Sequence, residues 1–594
     1  MNDHKNMIIA VVLSALVLLG WQLAMETWFP TASEPSTKIE QGKQVPVPQR
    51  SGQPTAGPAA AATPATAAQA RQPRQAIRIE TPSLRGSVNL RGARIDDLLL
   101  IRHSETIAPN APPVRLFAPE GSAHAYYGSF GWTGQGLAAP GPDAVWQASG
   151  DRLTPSTPVT LSWANGSGQS FQIVLSVDDG YLFTAEQRVF NRGSGAIAAR
   201  PFALVSRAGP SPDPDSWTMH VGPMGVFNGS ADYGHDWDAV AGAANQVQNS
   251  RGGWLGFTDK YWLAAVIPPQ NANIETAFRH VRQTGGYQAD FQVAPVIVQP
   301  GQGSRTVSHL FAGAKEVQML DRYSESLGTP LERAIDWGWF RWFMIPIFSL
   351  LNWLFAAIGN FGVAIICLTL IVRGLLFPIA QRQFASMASM RALQPKIKTL
   401  QDRYADDKPR MQQEMLKLYK EEKVNPAAGC LPILLQIPIF YALYKVLLLA
   451  VEMRHEPFAL WIRDLSAPDP LTPVNLFGFL DFTPPGFLAI GVLPILLGVT
   501  MWLQFRLNPA PMDPVQKQVF AFMPWILMFL MAPFAAGLQL YWTVNNIISI
   551  AQQKLLYSRH PALSQPPATA AAVAEPPSPP AKPATRGKGK PKAR

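Results

Sequence analysis

Cysteine is almost missing: the 594 residues hold two, Cys367 and Cys430. Both fall in or beside apolar runs, too far apart in sequence to form a metal motif, and read as small buried side chains. Without a disulfide framework, the compartment has to be read from topology. The chain also lacks a nucleotide-binding loop, a zinc signature and a nucleophile elbow. The expectation is a protein that is not an enzyme, with no cofactor, no metal and no small-molecule substrate. Internal repeats of the kind that build many transporters are absent as well.

Long apolar runs, by contrast, are plentiful. The 47% hydrophobic average conceals strong segregation, because apolar blocks alternate with tracts rich in the 55 prolines. The run FGVAIICLTLIVRGLLFPI, residues 361–379, is long and apolar enough to cross a bilayer, yet it contains Arg373. An arginine near the bilayer centre costs roughly 2.5–3.5 kcal/mol on insertion scales, and its guanidinium stays charged. Two readings are open: snorkelling to headgroups some two turns away, or a charge lining a wet pocket within the membrane.

In chain order, residues 1–30 read as an uncleaved N-terminal anchor with its start in the cytosol, since no clear cleavage site follows the apolar stretch. Residues 31–75 are Pro/Ala-rich and predict a disordered tether. From 76 to 327 short strands separated by Gly, Pro, Asn and Asp predict an antiparallel sandwich closed by a helix over 317–327. His220, His235 and Asp236 share a Gly-rich segment there; metal or catalytic use and plain solvated loop are both open. Trp254 and Trp262 read as core. Residues 331–358, dense in aromatics, predict an amphipathic helix lying in the outer interface, and Gly359 to Gly362 supplies a break before the span at 359–381.

Residues 382–428 carry the polar, basic signature of a cytosolic loop: ten Lys and Arg stand against six Asp and Glu between 382 and 425. Met387, Met390, Leu393, Ile397, Leu400 and Tyr404, then Met411, Met415 and Leu418, recur at three- and four-residue steps and predict a helical hairpin with one apolar seam. The methionines suit either hairpin packing or an adaptable face for client segments. Further spans are expected at 430–451, 487–503, 517–533 and 535–556. Lys445, toward the far end of the third, is expected to snorkel outward. On the sixth, Gln539, Thr543, Asn546 and Ser549 share one face, which lipid cannot satisfy. The tail, 559–594, is disordered and basic, which suits a solubilising role or a polyanionic partner. Six crossings place both termini in the cytosol.

The runs LTLIVRGLLFPIAQRQFASMASMRALQPKI (368–397), NPAAGCLPILLQIPIFYALYKVL (425–447) and FALWIRDLSAPDP (458–470) resemble the YidC/Oxa/Alb family of membrane insertases. The anchor and the large outer domain further resemble the long form of Gram-negative bacteria. The resemblance implies a multi-pass protein of the bacterial inner membrane with a periplasmic β-supersandwich and a five-span insertase core. It implies insertion and folding of inner-membrane proteins, alone or with the Sec translocon, on nascent chains received from ribosomes and released to membrane lipids. It also implies a water-filled groove open to cytosol and lipid. Arg373 matches the groove arginine and Gln436 the groove glutamine; Thr369 lies one turn before Arg373, and Thr543 and Asn546 join them by periodicity. Pro438, Phe440, Met531 and Phe534 are candidates for the slide along which clients leave. Family members often carry a bulky aromatic near the end of the fifth span, where this chain has Met531-Ala532-Pro533-Phe534.

Such a groove would shorten the desolvated path of a polar outer segment, and Arg373 would attract acidic clients. Two other classes compete. A transporter would use Arg373 to bind an anionic solute, and a glycan-binding module or enzyme would place the function in the outer domain.

Overall fold

The structure, a computed structural model, describes residues 37–40, 43–46, 75–213, 219–242, 246–381, 393–404, 407–422, 431–480, 482, 489–507 and 514–559. The expected anchor, the basic tail beyond Arg559, Cys430, Met387 and Met390 lie outside them. The chain divides into two units. One runs to Trp342 and takes in Leu449–Arg454; the other holds Phe343–Leu448 and His455 onward.

The first unit is rich in β sheet. Nine strands form one sheet, in which Leu182–Asn191 pairs antiparallel with Gln169–Val177 on one side and Gly303–Ala314 on the other. Eleven form a second, in which Ile197–Arg207 is flanked by Tyr126–Thr133 and Gly286–Val293. Burial alternates residue by residue along Gln169–Val177, as expected of a strand with one face on the core. It is continuous along Gly286–Val293 and Trp254–Thr258, which are covered on both faces. Phe171, Phe183, Trp254, Phe257, Phe291 and Phe311 are wholly enclosed and fill the core. Gly313 is required by close approach: a Cβ there would lie 2.1 Å from Cγ of Tyr181. Among the described residues no cluster of three His, Cys, Asp or Glu is arranged to hold a metal. His220 Nε2 lies 3.0 Å from the Pro223 carbonyl oxygen, and His235 Nε2 lies 3.3 Å from an Asp232 carboxylate oxygen. Between residues 31 and 75, Thr37–Glu40 pairs antiparallel with Lys43–Pro46.

Helix α1 (Trp237–Gly242) lies in this unit, and α2 (Val317–Leu327) follows the last strand. The N-terminus of α2 is capped from far along the chain: Val317 N–H donates to Glu452 Oε1 at 2.9 Å. Glu452 as a residue is only part-buried, but its other oxygen, Oε2, is enclosed without a partner among the described residues. Burial pushes this carboxyl up to about 7, with the nearby Glu316 adding to the shift. The folded state therefore holds the proton more tightly than the unfolded chain. The penalty of the buried charge is absent below about pH 4.5, grows as pH rises, and is complete above about 7. Glu452→Gln keeps an oxygen for Val317 and should raise the unit's stability at pH 8 by about 2–3 kcal/mol. The gain should vanish at pH 4, as followed by thermal unfolding.

The second unit is helical. The segment expected as one interfacial helix from 331 is split: Leu331–Ala334 is a single 3-10 turn in the first unit, and α3 begins only at Arg341 and runs to Ile358. Trp337 and Phe340, in the non-helical stretch between the two, are both buried. Among the described residues α3 is the one helix long and apolar enough to cross a membrane, by length and composition alone. After Gly359, in the left-handed region at φ 77°, Asn360 caps α4 (Phe361–Leu375) by accepting from Val363 N–H at 3.0 Å. The same side chain donates to the Phe458 carbonyl, whose ring lies so close that a Cβ on Gly362 would sit 2.0 Å away. Helices α5 (Gln394–Arg403) and α6 (Lys408–Glu421) form the hairpin. Asp407 caps the second, and Lys396 pairs with Glu422 across the two at 2.5 Å. Leu393 and Ile397 are buried, while Met411 and Met415 are half-buried. The remaining helices are α7 (Leu431–Leu449), α8 (Val492–Leu507), α9 (Pro514–Met531) and α10 (Ala536–Arg559). Lys445 on α7 is enclosed, against the expectation that it snorkels: its neighbours Val446, Leu447 and Leu449 are buried with it.

Candidate functional site

Helix α10 organises the site. Its polar row, Gln539, Thr543, Asn546, Ser549 and Gln553, is buried, and α10 packs against α4 and α8. Its first turn is secured by the loop before α8, where Ala467 and Leu465 carbonyls accept from Ala536 and Gly537 N–H at 2.7 and 2.9 Å. Those are N–H groups that a helix start cannot satisfy internally. Gln539 then binds the reversal between α9 and α10: its amide donates toward the carbonyls of Met531, Ala532 and Phe534 at 2.9, 3.3 and 2.7 Å.

Arg373 lies in the last turn of α4, where the helix dipole favours a cation. Its Nε–H donates to Asn545 Oδ1 on α10 at 2.7 Å. The bond uses the inner edge of the guanidinium and, among the described residues, leaves the outer Nη pair, the edge that grips carboxylates side by side. Gln436 on α7 donates to the Tyr541 hydroxyl at 2.9 Å, and Asn546 donates to Thr500 on α8 at 3.2 Å. Thr369 is turned back on its own helix, donating to Ile365 O at 2.7 Å. The Thr543 hydroxyl is enclosed with no partner among the described residues.

The five expected groove residues therefore divide. Arg373 and Gln436 are part-exposed, whereas Thr369, Thr543 and Asn546 are buried and do not line an open surface. Asn546 ties α10 to α8, and Thr369 holds to its own helix. Of the slide candidates, Phe440 packs on Trp542 with ring centroids 4.6 Å apart, and Phe534 meets Tyr444 at 5.7 Å. Pro438 lies inside α7 and is part-exposed. Met531 is buried. The periodicity argument missed Asn545, Tyr541 and Thr500. Asn545 stands one position off the polar row, about 100° around the helix, and its one signal was adjacency to Asn546.

Apolar helices around a hydrogen-bonded, part-exposed arginine, with a β-rich unit in the same chain, fit the class of membrane proteins that carry a large domain outside the bilayer. Residues 353–563 match the family model described as 60Kd inner membrane protein, and residues 76–350 match the YidC periplasmic domain. The chain is 49% identical over 567 residues to the membrane protein insertase YidC of Zymomonas mobilis, covering 94% of this chain and 96% of that one. It is 43% identical to the protein of the same name from Methylorubrum extorquens, with the same coverage. A crystal structure of an active YidC insertase aligns with 81% of this chain and 94% of that one, at 19% identity and a TM-score of 0.32. The chain belongs to the YidC family of inner-membrane protein insertases, with a periplasmic domain rich in β sheet and a helical membrane region.

Proposed function

We propose that the chain inserts integral proteins into the inner membrane, receiving nascent segments at a polar recess around Arg373 and passing their apolar helices into lipid. The observation that carries this reading is the Arg373–Asn545 bond, which fixes a permanent cation beside a polar helix face within an apolar unit. A cation so held gives the carboxylates of an arriving outer segment a partner before they have crossed the apolar layer. Gln436 and the Tyr541 hydroxyl extend the polar lining; Asn546 and Thr500 brace it. Phe440, Trp542, Tyr444 and Phe534 form the apolar side toward which a client helix moves. The step is solvation and release, with no covalent chemistry.

The finer topology belongs to the same reading. Six spans put both termini in the cytosol, with α3 in the outer interface, the α5–α6 hairpin in the cytosol and the basic tail beside the ribosome. The Sec translocon is the expected partner for clients with large outer domains. The test is photocrosslinking of ribosome-stalled single- and double-span clients to probes along α7 and α9 of the full-length protein. Adducts at Gln436 and Phe440 that move with chain length support the reading. Adducts confined to residues 76–327 would transfer the function to the outer domain.

A further inference from the structure

The stretch that leads from α7 to α8 carries a feature that the groove does not use. Pro473–Gly478 is a distorted 3-10 segment, and within it Leu476 and Phe477 both lie in the left-handed region, at φ 50° and 60°. Bulky residues rarely adopt that conformation, and two in succession require the backbone to be held there. It is held: Thr472 Oγ1 accepts from Val474 N–H at 3.2 Å, and Phe477 N–H donates to Thr472 O at 2.9 Å. Leu480 N–H reaches Asn475 O at 3.1 Å. The result turns large apolar side chains outward. Phe479 is 87% exposed, and Leu476, Phe477, Leu480 and Phe482 are each exposed by 46–55%. Residues 471–491 contain one charged side chain, Asp481.

We propose that residues 474–480 with Phe482 form an apolar wedge seated at the acyl border of the lipid bilayer on the periplasmic side. A protein partner would call for a polar rim and hydrogen-bonding groups around an apolar centre. Here, among the described residues, the N–H groups of Val474, Phe477, Phe479, Leu480 and Phe482 are bonded within the loop and the exposed side chains are nearly all hydrocarbon, which suits the border between headgroups and acyl chains, where water still reaches the other backbone groups. The same exposure of large apolar side chains runs along the helices of this unit, at Ile437, Ile526 and Phe529. The loop thus shares the surface chemistry of the helices read as facing lipid. Leu460, at φ 58° and 89% exposed beside Trp461, is a second outward apolar tip in this stretch. The wedge rests on the reading that α7 and α8 cross the bilayer; it does not depend on Arg373.

The test uses the full chain with Cys367 and Cys430 replaced by serine and Phe479→Cys carrying an environment-sensitive fluorophore. It is reconstituted in vesicles of phosphatidylethanolamine and phosphatidylglycerol. Lipids bearing a shallow nitroxide should remove most of the emission, and aqueous iodide should remove little. Ser122→Cys, on an exposed turn of the β-rich unit, should show the reverse. Strong iodide quenching at 479 with no effect of the nitroxide lipid would overturn the wedge. So would protection that arises only when a second membrane protein is added, which would make the loop a protein contact. Client insertion, assayed on the same labelled protein, reports separately on the groove.

Discussion

Arg373→Ala should reduce insertion of clients with acidic outer segments roughly ten- to hundredfold, the worth of one charge-assisted hydrogen bond in a low-dielectric setting. Clients with neutral outer segments should lose far less. Arg373→Lys should be milder, because charge is kept while the planar fork is lost. The bond to Asn545 adds a sharper pair of variants. Asn545→Ala frees the guanidinium from its anchor but leaves it charged, so activity toward acidic clients should fall only a few-fold. Asn545→Asp should be the worse of the two, although it is the closer in shape. A carboxylate at that position would neutralise Arg373 from within and stand in for the client's acid. Reconstituted insertion assays with paired acidic and neutral clients separate these outcomes. Equal losses for both client types in Arg373→Ala would remove the charge from the mechanism.

Gln539→Leu should unfold the helical unit far more readily than Ser549→Ala on the same helix. The side chain is fully buried and its amide serves three carbonyls of the reversal between α9 and α10. Leucine fills the volume and takes this donor from the Ala532 and Phe534 oxygens, while Met531 O keeps Phe534 N–H, at about 1–3 kcal/mol for each group left unsatisfied. Against a total stability of the usual order, about 5–15 kcal/mol, a loss of several kcal/mol abolishes a stable fold. Ser549→Ala is the matched control. Its hydroxyl donates once, to Asn545 O at 2.6 Å, a carbonyl of its own helix. That variant should lose about 1 kcal/mol. Thermal aggregation and trypsin resistance in mild detergent rank the two, and similar behaviour would show that the reversal is secured by other contacts.

The parts of the fold visible in the sequence were those with a local period. The polar row of α10 was legible because 3.6-residue spacing brings Gln539, Thr543, Asn546 and Ser549 to one face. Arg373 stood out because charge is costly where it lies, and the helix over 317–327 because it is a short local element, ended by Gly328 at φ 65°. What escaped was set by distant partners. Leu182–Asn191 pairs with Gly303–Ala314, more than a hundred residues away, and no local pattern names that partner. Glu452 joins the first unit and caps α2 from across the chain. Lys445 was misjudged because a lysine near the end of an apolar run carries no mark of whether protein or headgroups will meet it. Asn545 was missed since one residue's offset moves a side chain off the row, although the bond to Arg373 makes it central.

Insertion by this route requires that water from the cytosol reach the recess beside Arg373. Gln436→Cys, in a chain whose two native cysteines are serine, should react with a membrane-impermeant maleimide added to inside-out vesicles. Its rate should approach that of a cysteine on the exposed hairpin at Lys417. A rate as low as that of Phe529→Cys, on the apolar surface of α9, would mean the recess is dry. The proposed path for polar segments would then not exist.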